Sequence, residues 1–147
     1  QQVREQQGLC YSIYSYGAGH AETGVFCIYT ALNKETEAKA LATIRRVIDD
    51  FLAKGPTTEE LERAREQSKA NVIMGLESTQ SRMSHAGRSL LFSGEILTPE
   101  QIIDAYDRVT REDVVALAQE IFAWDRASLS AVGQVRTAEE YRQLVLG

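Results

Sequence analysis

The chain has 147 residues, of which 44% are hydrophobic and 25% charged. That is enough for one domain around one hydrophobic core, and too apolar a composition for disorder. A formal net charge of -5, a pI near 5.1 and Lys and Arg scattered without a basic block exclude a nucleic-acid-backbone binder. No apolar run approaches the roughly 18 residues of a membrane span. Gln1-Gln2-Val3 offers neither a start Met nor a charged-then-apolar signal, so an internal fragment or processed product is expected, with the cytoplasm as the default compartment.

Residues 9–16, rich in Tyr, Ile and Ser, and residues 24–32 (GVFCIYTAL) read as neighbouring antiparallel strands joined by a glycine-containing turn. The second has few polar positions and is expected to be central, with both faces covered. Between residues 35 and 52, Leu41, Ile44, Ile48 and Phe51 keep helical spacing while Arg45, Arg46, Asp49 and Asp50 face away. Gly55-Pro56 stops that helix, and Thr57-Thr58-Glu59-Glu60 is a capping box for the next. One long helix is predicted from there to about residue 91, bending near Gly87, with an inner stripe of Leu61, Ala64, Ser68, Val72, Leu76, Thr79 and Met83. Ser93-Gly94 breaks it. Thr98-Pro99-Glu100-Gln101 opens a helix with Ile102, Ile103, Tyr106 and Val109 inward, and Thr110 restarts one carrying Val114, Leu117, Ala118 and Ile121. Residues 127–132 read as a third strand, and Thr137 caps a last helix burying Tyr141, Leu144 and Val145. The fold class is α+β: a small antiparallel sheet covered on one face by helices, in a single domain over residues 1–147.

Chemistry-bearing residues are sparse. His20 and His85 belong to no HExxH, HxxEH or Cys/His cluster. His20, in His20-Ala21-Glu22, reads as a solvated turn residue, and His85 as a structural helix histidine. Arg82 and Arg88, on the long helix with Glu77, are explained by ion pairs as well as by ligand binding. Cys10 and Cys27 read as buried reduced thiols, with a cross-strand disulfide as the alternative. Arg4 and Tyr11 flank the start of the first strand. An arginine there suits a peptide carbonyl or carboxylate, and a phenol suits an oxyanion. The structural alternative is a salt-bridged Arg4 and a core Tyr11 bonded to backbone.

VREQQGLCYSIYS resembles the R-E-x-x-G-L-x-Y-S signature of the C-terminal lobe in the pitrilysin, insulinase and mitochondrial-processing-peptidase family. GVFCIYTA resembles that lobe's next strand. PTTEELERAREQSKANVIMGLESTQSRMSHAGRSLLFSGEILTPEQII resembles its long helix and turn, and VTREDVVALAQEIF and LSAVG its last helix and strand. The resemblance implies a two-lobed zinc metalloendopeptidase that cleaves peptides in an enclosed chamber. The partner N-terminal lobe would carry the zinc on an inverted HxxEH motif, and this chain would bind no metal. It also implies that Arg4 fixes the substrate backbone and that Tyr11, seven residues on, stabilises the oxyanion. HxxEH is absent here, so the chain alone is expected to be inactive. The lobe's first strand and helix are also expected to be missing, which would leave a truncated lobe prone to self-association. The alternative within the family is a non-catalytic scaffold or peptide-binding subunit, like a processing-peptidase partner or a respiratory-complex core protein.

Overall fold

The computed structural model describes residues 2–20 and 22–146. A wide helical turn, Gln2–Gln6, leads through Gly8 into strand β1 (Cys10–Gly19), which pairs antiparallel with β2 (Gly24–Leu32). Helices α1 (Glu37–Lys54), α2 (Thr58–Gly75), α3 (Thr79–Ser93), α4 (Pro99–Arg108), α5 (Arg111–Ile121) and α6 (Ala138–Leu146) follow, with a short 3-10 turn at Trp124–Arg126. The class is α+β, as the sequence implies. Among the described residues no helix is long and apolar enough to cross a membrane.

Contacts divide the chain into two compact units. The first contains the residues up to Lys54 and those from Leu117 on. Its core is Val3, Leu9 and Ala40, with Cys10, Ile13, Leu32 and Ile44 packed against it. The hairpin therefore buries one face at its open end, against the opening turn and α1. Phe26, on the same face as Ile13 and Thr30 by register, meets Phe122 edge-on at 5.1 Å. α6 is tied to α1 through Glu37, whose two carboxylate oxygens accept from Tyr141 Oη at 2.6 Å and Arg136 Nε at 2.7 Å. Trp124 donates its indole N–H to Asp49 at 3.0 Å and lies under the Arg45 guanidinium, 4.3 Å from the ring centre.

The second unit runs from Gly55 to Ala116. Thr57 and Glu60 form the expected capping box, and Thr98 and Gln101 form another. Lys69 bridges Glu66 at 2.6 Å and Asp107 at 2.8 Å, linking α2 to α4. Arg65 donates to the Val109 carbonyl. Ser89 accepts from Leu97 N–H at 3.0 Å and donates to the Glu95 carbonyl at 2.6 Å, pinning the turn after α3.

The structure corrects several expectations. The long helix breaks at Leu76–Ser78 and not at Gly87, because the Ser78 hydroxyl accepts from Ser81 N–H and starts a new helix. Of the predicted inner stripe, Ala64, Thr79 and Met83 are exposed, while Leu61, Ser68, Val72 and Leu76 keep it. Among the described residues β2 is not central: its sheet has two strands, each an edge, and Val25, Phe26, Ile28 and Tyr29 are exposed. Residues 127–132 form no strand. β-rich side chains become a strand only where a partner supplies the ladder, and Val132 is fully exposed. Leu117 and Ile121 are exposed on α5, although Val114, Val115 and Ala118 are not. Arg45 and Asp49 do not face away; they pair at 2.7 Å and hold Trp124.

Candidate functional site

Strand β1 carries an irregularity at its start. Cys10 faces Leu32 and Ser12 faces Ala31, so Tyr11 is an extra residue with no partner of its own. This is a β-bulge, a device that re-aims a side chain and is common beside functional sites. Tyr11 is 92% exposed. The buried, backbone-bonded Tyr11 of the structural alternative is therefore excluded. Across the strands, Thr30 Oγ1 donates to the Ser12 carbonyl at 3.1 Å, holding the backbone just past the bulge. Arg4 lies on the turn Gln2–Gln6, and its guanidinium pairs with the carboxylate of Glu5 at 3.1 Å. Both side chains are about half exposed, so water screens the pair and a competing carboxylate or carbonyl displaces it at little cost.

Tyr14 and Tyr29 oppose each other and stack at 5.0 Å, with Tyr16 next along the strand at 6.1 Å from Tyr14. The Tyr16 phenol is held above its ordinary range, first by its hydrogen bond with the Cys27 side chain and then by electrostatic interaction with it. Cys27 faces Tyr16, six residues along β1 from Cys10, so the two thiols stand roughly 20 Å apart along the ladder. That separation excludes the cross-strand disulfide. Both cysteines are free and half-buried.

His20 donates its backbone N–H to Thr23 at 2.7 Å in the hairpin turn; Ala21, between it and Glu22, lies outside the described residues. His85 bonds the Leu97 carbonyl at 3.0 Å from α3, a structural role. Arg82 donates to the Leu76 carbonyl at 2.7 Å, closing the break between α2 and α3. Among the described residues no three His, Cys, Asp or Glu side chains converge as metal ligands, and those residues do not fit a zinc ion. The described residues also line shallow hollows. One of about 410 Å³ lies between α1 and α6 over Arg45 and Asp49, and one of about 220 Å³ lies beside His85 and Ile102. Neither assembles a nucleophile with a base. The sequence pointed to Arg4 and Tyr11; it gave no sign of the bulge or of the Thr30 bond.

A family model described as "Peptidase M16 inactive domain" matches residues 1–68. The chain belongs to the pitrilysin, insulinase and mitochondrial-processing-peptidase family, and its sequence corresponds to that family's C-terminal lobe. It is 35% identical over 127 residues to the uncharacterized zinc protease YmxG of Bacillus subtilis, covering 86% of this chain and 31% of that one. It is 30% identical over 145 residues to the mitochondrial-processing peptidase subunit beta of Lentinula edodes, covering 97% of this chain and 30% of that subunit. The chain thus spans about a third of the length of the curated relatives it matches. The periplasmic protease PqqL from Escherichia coli shares the fold, with a TM-score of 0.66 at 17% identity over 82% of this chain and 14% of that one.

Proposed function

We propose that this chain is the substrate-clamping C-terminal lobe of a zinc-dependent metalloendopeptidase, closing a chamber with an N-terminal lobe or partner subunit that holds the metal. The chain is read as one domain forming most of that lobe, with the lobe's first strand and helix outside it. The observation that carries the reading is Tyr11. A bulge turns it out of the ladder and leaves it 92% exposed, and among the described residues nothing hydrogen-bonds its hydroxyl. A large aromatic with a free hydroxyl, turned out of the ladder, is suited to meet a partner with both its ring and its O–H. In this reading the partner is a peptide. The Tyr11 O–H donates to the oxygen that becomes negative as the scissile carbonyl turns tetrahedral, and Arg4 exchanges Glu5 for the substrate backbone.

A donor that acts in the transition state affects kcat more than KM. In the complete protease, Tyr11→Phe is expected to lower kcat by about 10²–10³ with KM little changed, and Arg4→Ala to raise KM as well. Wild-type kinetics for Tyr11→Phe refutes the donor role. A complete protein without HxxEH refutes the enzyme reading and leaves the non-catalytic, peptide-binding scaffold.

A further inference from the structure

We propose that Thr30 is a positioning residue for Tyr11, acting through the β-bulge; the inference rests on the oxyanion role just proposed. The peptide after Ser12 is the first one past the bulge, and its orientation fixes the backbone that carries Tyr11. A bulge interrupts the ladder around it and so loosens the segment that it bends. Thr30 is opposite Ile13, one register step past the bulge, and its Oγ1 reaches across to the Ser12 carbonyl at 3.1 Å. Its hydroxyl is thus a cross-strand clamp at the point where the regular ladder resumes. Thr30 is half-buried, and it faces the side of the hairpin where Cys10, Ile13 and Leu32 meet the core. The clamp is therefore anchored on packed structure, while Tyr11 is left open to solvent. The arrangement separates a rigid support from a reactive tip, as a preorganised donor requires.

Thr30→Val keeps the shape and the β-branch but removes the donor. In the complete protease it is expected to lower kcat about 10-fold with KM unchanged, because a donor displaced by a fraction of an ångström loses transition-state contact before it loses binding. Thr30→Ser, which keeps the hydroxyl, should retain at least half of wild-type kcat. The decisive measurement is the cycle with Tyr11→Phe: once the phenol is gone, Thr30→Val should cost less than 2-fold more. A full further 10-fold loss in the Tyr11→Phe background, or wild-type kcat for Thr30→Val alone, overturns the assignment and leaves Thr30 a purely structural residue. If Tyr11→Phe itself is wild-type, it is the oxyanion reading that has failed, which the single variant shows separately. Should Thr30→Val not accumulate folded, Thr30→Ala enters the same cycle with the same criteria.

Discussion

Gly55 offers the sharpest test of the fold. It follows α1 with φ +66°, and a Cβ built on it would stand 2.7 Å from Val115 Cγ2 and 3.2 Å from the Arg111 guanidinium. Arg111 cannot simply swing aside, because its Nε donates to the Pro56 carbonyl at 3.0 Å. Three terms set the cost of Gly55→Ala. Left-handed backbone costs a non-glycine residue about 1–2 kcal/mol. Forcing a methyl into filled space costs about 1–3 kcal/mol. The reduced freedom of the unfolded chain returns about 0.4–1 kcal/mol. The net is a destabilisation of about 1–4.5 kcal/mol, or a Tm lower by about 3–14 °C for a chain of this size. Gly87→Ala is the control. It lies inside α3 with nothing within 4 Å of its would-be Cβ, so alanine should stabilise by about 0.5–1 kcal/mol. Thermal melts by far-ultraviolet circular dichroism read both. A Gly55→Ala variant melting within 2 °C of wild type refutes the left-handed stop and the packing around it.

The remaining predictions concern charge, metal and association. Glu60, Asp113 and Glu140 each cap a helix start. Hydrogen bonds from Thr57's backbone and hydroxyl, Thr110's hydroxyl and backbone, and Thr137's backbone and hydroxyl, respectively, hold their carboxyls below the ordinary range. The folded chain therefore binds fewer protons than the unfolded one in mild acid, and this stability is present above about pH 4.5 and lost as pH falls. A Glu60→Gln, Asp113→Asn, Glu140→Gln variant should show a flatter acid limb of Tm against pH; an unchanged limb refutes the linkage. Dialysed chain should contain well below one zinc by metal analysis, and a stoichiometric, chelator-sensitive ion would overturn the assignment of the metal to the other lobe. With both strands of the hairpin as edges and Tyr14, Val25 and Tyr29 exposed, the isolated chain is expected to associate at micromolar concentration. Light scattering that finds a stable monomer refutes this.

Helix starts were legible because their chemistry is local. Thr57, Thr98 and Thr137 each present a hydroxyl to an N–H three residues on, and the letters display that spacing. The stop at Gly55-Pro56 is legible for the same reason. The break at Leu76–Ser78 was not, because Ser78 reads as a tolerable helix residue until its side chain chooses the cap. The strand fates depended on partners: β2 is apolar enough to be central, and residues 127–132 are β-rich enough to pair, but neither property supplies a neighbour. At the candidate site, residue type and spacing marked Arg4 and Tyr11, whereas the bulge depends on cross-strand register, which Cys10, Tyr11 and Ser12 do not encode alone.

The chain has one tryptophan, and Trp124 stands where its light reports on a defined part of the molecule. Its indole is bonded to Asp49 and capped by Arg45, both on α1, so its emission changes when α1 parts from the turn Trp124–Arg126. Nothing in the unit from Gly55 to Ala116 carries an indole. A melt followed by fluorescence sees the hairpin unit alone, while circular dichroism sees the helices of both. Coincident curves mean that the two units unfold together; separated curves mean that each has a stability of its own.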